Sequence, residues 1–81
     1  MPSRVTETLA LQALAAVIAD EPLRSRFLSL TGYDGETLRA RAGEHDVLQA
    51  VTDFLAAHEP DLVRIADMLG VKPETLARAM A

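Results

Sequence analysis

Apolar residues recur along this chain at spacings of three and four, the period of a helix that buries one side, and nowhere sustain the alternation of a half-buried strand. Ala and Leu dominate, both good helix formers, and β-branched residues are few. Pro22, Gly32, Gly43, Pro60, Gly70 and Pro73 cut the pattern into six short helical segments. The first is predicted from about Thr6 to Ala19. In it Val5, Leu9, Ala13, Ala16 and Val17 form one stripe, and Leu11, Leu14 and Ile18 form another beside it. Only Thr8, Gln12, Ala15 and Ala19 remain as a weakly polar side. A helix apolar around most of its circumference is either central to its fold or covered by a partner.

The remaining segments carry their own start and stop signals. Asp20 is placed to cap the second helix, Pro22 sits in its first turn where a missing N–H costs little, Leu23, Phe27 and Leu30 give it an inward side, and Gly32 stops it. Asp34 caps a third helix that carries Leu38 and Ala42 and ends at Gly43. A fourth, around Asp46 to Ala57, spaces Val47, Leu48, Val51, Phe54 and Leu55 on one face. A fifth runs from Pro60 to Leu69 with Leu62, Ile65, Ala66 and Leu69 inward, and a sixth starts at Pro73 with Leu76 and Met80.

Shifting the chain by 38 residues turns this series into an architecture. Ala19, Glu21, Pro22, Arg26, Gly32, Glu36, Thr37 and Leu38 recur as Ala57, Glu59, Pro60, Arg64, Gly70, Glu74, Thr75 and Leu76, eight identities in 24 ungapped positions. Phe27 with Ile65, Leu30 with Met68, and Tyr33 with Val71 are apolar exchanges of the kind a shared core position tolerates. The expected fold is therefore all-α: six short helices as two tandem three-helix units, residues 9–42 and 47–80, within one compact bundle-like domain covering 1–81.

Composition changes this picture little. At 81 residues with 49% hydrophobic and 25% charged, the chain has matter for one core and lies far from disordered compositions. It has no cysteine, which excludes disulfides and thiolate metal sites and fits a reducing cytoplasm. The apolar run from Leu9 to Ala19 follows Arg4, but Glu7 and Gln12 interrupt the order of a secretory leader, and eleven residues are too few to span a bilayer. No membrane role is expected. The net charge of −4 argues against general affinity for phosphate backbones. Its distribution is uneven, with five acids and five bases in residues 1–42 against seven acids and three bases in 43–81.

The segments LALQALA at 9–15, RFLSLTGYDGETLRARA at 26–42 and DFLAAHEPDLVRIADMLGVKPETLARA at 53–79 resemble a small bacterial family, domain of unknown function 3572. The likeness covers nearly the whole chain. It implies a short, cytoplasmic, all-helical protein, and it supplies no catalytic or ligand-binding residue to carry onto positions here.

Few side chains assemble into candidate chemistry. Residues 64–80 also look like a helix-turn-helix, with Gly70 as the turn, Ala66, Val71 and Leu76 packing inward, and Lys72, Glu74, Thr75 and Arg78 toward a DNA groove. Two bases in the acidic half leave little surface for phosphates, and Lys72 stands where a Ser, Thr or Asp cap is usual. His45 and His58, the only imidazoles, are 13 residues apart, roughly 20 Å along a helix and too far to share a metal. Asp53 and His58 at i, i+5 do not share a helix face, and Ser25 and Ser29 have no base in reach. Arg24, Arg26, Arg39 and Arg41, within 18 residues, could form a patch receptive to a carboxylate or phosphate, but with Glu21, Asp34 and Glu36 interleaved they read first as a solvated face laced by helix pairs, and Tyr33 reads as a core residue beside its cap. Neither a cofactor nor a metal is expected, and no enzymatic activity. The leading expectation is a protein-interaction module, open to self-association as a homodimer, with Val5, Leu9 and Leu11 of the first helix as interface and with Val5 and Leu9 its exposed members. The alternative is a DNA-binding regulator reading through Lys72, Thr75 and Arg78.

Overall fold

The punctuating residues start and stop helices by identifiable contacts. The computed structural model describes residues 4–80, with side chains from 7 to 78, and within them six helices follow in order: α1 (Arg4–Ala19), α2 (Glu21–Thr31), α3 (Gly35–Arg41), α4 (His45–Ala56), α5 (Glu59–Leu69) and α6 (Pro73–Met80). Asp20 Oδ1 accepts the Leu23 N–H at 3.2 Å, and Asp34 Oδ1 accepts the Thr37 N–H at 2.7 Å, so both predicted caps form. Gly32 and Gly70 close α2 and α5 in the left-handed region, at φ 76° and 71°, where a side chain would be strained. The start of α4 has no side-chain cap at Glu44; instead Arg41 bridges Glu44, at 2.5 Å, and Asp46.

α1 is the hub. It packs against α2, α4, α5 and α6, and its buried surface consists of Ala10, Ala13, Leu14, Ala16 and Val17. Three alanines in that set let neighbouring helix axes approach to the short end of the usual range of about 8 to 10 Å. Around this spine the core is filled by Phe27, Val51, Phe54, Leu55, Ile65 and Leu76. Phe27 and Phe54 meet edge to face, with ring centroids 5.3 Å apart and an interplanar angle of 75°. α6 lies against both α5 and α1, whereas α3 approaches no other helix closely and contributes one buried side chain, Leu38.

The two buried charged residues of the described chain, Asp20 and Asp61, lie at the first turns of α2 and α5 and are held from the opposite helix. Arg26 of α2 pairs with Asp61, and Arg64 of α5 pairs with Asp20 at 2.6 Å. The start of each helix thus lies beside the middle of the other. His58 Nδ1 is 3.1 Å from the same Asp61 oxygen, and the Arg26 guanidinium stacks over Phe54, 5.4 Å from its centroid.

On α2 the packing departs from the predicted face. Leu30, expected inward, is 74% exposed, and Met68, its counterpart 38 residues on, is exposed too. The inward arc of α2 runs through Leu23, Phe27 and half-buried Thr31, whose hydroxyl donates to the Phe27 carbonyl. Leu30 falls outside that arc because the helix buries positions four apart rather than three. Pro22 and Pro60, Gly32 and Gly70, Phe27 and Ile65, and Leu38 and Leu76 occupy corresponding places. The Met80 side chain lies outside the described residues.

Leu38 and Leu76 differ in what surrounds them, and substitution should show it. Leu76→Ala, at a site closed by α1 and α5, is expected to lose about 3 to 5 kcal/mol of unfolding free energy. Leu38→Ala, on a helix that neighbours leave largely uncovered, should lose about 1 to 2 kcal/mol, since solvent reaches part of the space vacated. Chemical denaturation of both variants measures the two losses, and equal losses would contradict the difference in packing.

Candidate functional site

Because α3 does not close against α1 and α2, an apolar groove of about 630 Å³ opens among the three. Its floor is Leu14 of α1 and Leu38 of α3, both buried. Ile18 of α1 and Leu28 of α2, half-buried, form the walls, and Leu11, 40% exposed, stands at one lip. The polar groups at the border are the guanidinium groups of Arg24 and Arg39. Arg24 is fixed by donating to the Ile18 carbonyl at 3.1 Å; neither arginine forms an ion pair among the described residues.

The 38-residue shift supplies an internal comparison. It lays Leu11, Ala15 and Ile18 of α1 onto Gln49, Asp53 and Ala56 of α4. Leu11 and Gln49 are both exposed, as are Ala15 and Asp53, so the two helices turn the same positions outward. On α4 that outward face is polar and internally bonded, the Gln49 amide donating to Asp53 at 3.0 Å. On α1 it is oil. The same is true of the groove floor, where Leu14 stands opposite Thr52, whose hydroxyl donates to the Leu48 carbonyl.

The open wall, α3, is positioned by its ends rather than by packing. Asp34 caps its start, Leu38 anchors its middle, and Arg41 ties its last turn to Glu44 and Asp46. The hydrogen bond from the Thr37 backbone N–H, followed by the Thr37 hydroxyl, holds the Asp34 carboxyl below its ordinary value of 3.8.

The residues singled out from sequence are placed as follows. Leu11 lies at the groove lip, but Leu9, expected to be exposed, is half-buried against the core; the Val5 side chain lies outside the described residues. Leu9 faces inward because α1 is enclosed by four helices on its Leu9, Ala13 and Val17 side, so the uncovered face is the Leu11 to Ile18 line. The sequence named Ile18 as part of an apolar stripe, Leu38 as core and Arg24 and Arg39 within an arginine group, but it did not bring them together as one groove, and Leu28 was not named; the α1 and α4 faces in the repeat register carry the signal. Lys72, immediately before α6, and Thr75 and Arg78 on it are exposed, with Ala66 and Leu76 buried beneath.

The arginines do not pair as expected. No ion pair among the described residues uses Glu21, Asp34 or Glu36; Arg26 reaches across the fold and Arg41 reaches forward in sequence. The reason is reach: Asp34 spends its carboxylate on a backbone cap, while α5 and the α3–α4 junction present carboxylates directly opposite the guanidinium groups. His58 sits at the start of α5 beside Asp61 rather than with Asp53, which Gln49 occupies. His45 and the pair Ser25 and Ser29 are exposed, and no cluster of three potential metal ligands occurs among the described residues. No helix of the described chain is long and apolar enough to cross a membrane.

Over residues 3–81 the chain matches the family model described as Protein of unknown function (DUF3572), and it belongs to that family. No curated protein and no solved structure matches it.

The Asp34 cap makes the groove wall sensitive to acid. With the folded carboxyl below its ordinary 3.8, the cap's stabilisation is complete above that value and is lost as pH falls through the folded one. Asp34→Asn keeps an acceptor for the Thr37 N–H but carries no titrating charge. Wild type should therefore be the more stable of the two at pH 6, and its margin should shrink as the pH falls below about 4. Thermal unfolding of both proteins across that range, with amide exchange at Thr37, checks this; a margin independent of pH would show that the charge does not hold the wall.

Proposed function

We propose that this member of the family is a non-catalytic protein-interaction module of the cytoplasm and that its docking surface is the groove bounded by α1, α2 and α3. The observation that carries the reading is the outward face of α1. Leu11 and Ala15 are exposed beside a roughly 630 Å³ apolar groove, where the corresponding positions of α4 are Gln49 and Asp53. A domain that covers one such position with polar side chains and leaves the other apolar has a reason outside its own folding to keep it so. The absence of cysteine fits the compartment.

A photo-crosslinking side chain placed at position 11, and in a control at position 49, tests the reading in the native cell. The expected result is one dominant adduct from position 11, identified by mass spectrometry as a protein other than this chain, and none from position 49. No adduct from either position, or the same adducts from both, would remove the groove as a docking surface. An adduct of twice the chain's mass would make the module a homodimer instead.

The second reading, a helix-turn-helix, draws on the exposure of Lys72, Thr75 and Arg78 above buried Leu76. Only two bases stand there to displace counterions, so duplex DNA at physiological salt should give no mobility shift at submicromolar protein. A shift abolished by Arg78→Ala would put DNA binding first.

A further inference from the structure

We infer that the groove accepts an amphipathic helix of a partner protein that carries carboxylates along the border of its apolar stripe. The inference rests on the reading of the chain as an interaction module and names that partner's chemistry. Backbone hydrogen bonding decides that the occupant is helical. The three walls are helices, and the described chain has no strand whose edge could pair with an extended segment. A peptide lying extended in this groove would bury N–H and C=O groups with nothing to meet them, whereas a helix satisfies its own. The length agrees. Leu11 and Ile18 stand seven positions apart, roughly 10 Å or two turns, which matches two or three anchors spaced i, i+3 or i+4, and i+7 on the incoming helix.

Charge decides which amphipathic helix. Arg24 and Arg39 are the charged groups bordering the groove; Arg24 is held in place through the Ile18 carbonyl, and both are without an ion-pair partner among the described residues. The other arginines with described side chains in the first half of the chain, Arg26 and Arg41, are each engaged by carboxylates. In that half of the described chain the guanidinium groups left available are those that flank oil, and glutamates bordering an apolar stripe would meet them. A second copy docking symmetrically through the same face would instead oppose Arg24 and Arg39 with themselves, a like-charge arrangement that disfavours self-association.

Two fluorescein-labelled 16-residue helical peptides test the inference by polarisation against the whole chain. Both carry Leu at i, i+4 and i+7; one has Glu at every flanking position and the other Lys. The Glu peptide is expected to bind at least about tenfold more tightly than the Lys peptide, with the advantage falling as salt is raised. Leu11→Glu should abolish binding of the Glu peptide while the melting temperature stays near that of wild type, because position 11 is already exposed. Arg39→Glu should reverse the preference. Amide shifts at Leu11, Ala15, Leu28 and Leu38 should localise the complex. Equal affinities for the two peptides, or no binding of either, would overturn the inference; a crosslink at position 11 persisting in that case would leave the interaction module standing with a different occupant. Laurate saturating the same amides while the Glu peptide leaves them unmoved would show an acyl chain in the groove, and would equally overturn it.

Discussion

Four helices pack against α1, and a helix with that many neighbours has to be narrow on the sides they share. Ala10, Ala13 and Ala16 meet the requirement, with Leu14 and Val17 as the large side chains the enclosing helices leave room for. The converse follows from geometry. Packing helices at close approach exhausts most of the circumference of α1, and the remaining face, Leu11 to Ile18, would be covered only by α3. α3 is seven residues long, is engaged at its ends by a cap and a bridging arginine, and leaves the groove open between itself and that face. The groove is a consequence of how α1 is enclosed and how α3 is tethered.

The crossed ion pairs set how α2 and α5 stand around that spine. Asp20 and Asp61 lose most of their water at the start of their helices, where the unpaired N–H groups and the helix dipole favour negative charge. Each is then matched by an arginine whose own side chain is half or more exposed, so the cost of burying both partners of a pair is avoided. Arg26 and Arg64 occupy corresponding positions of the 38-residue shift, and each reaches the acid of the other segment. The acids themselves do not correspond, since Asp20 stands opposite His58 and Asp61 opposite Leu23 in that shift.

Most of the fold could be read in the residues because it depends on local chemistry. Caps at Asp20 and Asp34, proline in first turns, and glycine at left-handed termini each act within four residues, and the helices begin and end within two residues of where those signals place them. The core faces of α4 and α5 followed from spacing alone. What escaped the sequence was long-range. Leu30 has the spacing of a core residue but lies beyond the arc its neighbours cover, and the partners of Arg26 and Arg64 are more than thirty residues away. The exposed side of α1 was misjudged for the same reason. Periodicity shows how much of a helix is apolar, but which part is uncovered depends on where the other five helices stand, and that placed Leu9 inside and Leu11 out.

α4 and α1 turn the same register positions outward, yet at those positions one helix presents a glutamine bonded to an aspartate and the other presents leucine and alanine. Folding does not explain the difference, since polar side chains at exposed helix positions cost a domain almost nothing and oil there adds only a tendency to aggregate. Nor does Leu14 explain it, because a buried leucine in the groove floor needs no exposed leucine above it. The asymmetry is therefore a property of the surface rather than of the core. It lies at the open groove beside α3, and it is bordered by Arg24 and Arg39, which form no ion pair among the described residues. Openness, apolarity and available positive charge have separate origins in the end contacts of α3, the outward face of α1 and the reach of Arg24 and Arg39, and they coincide at this one groove.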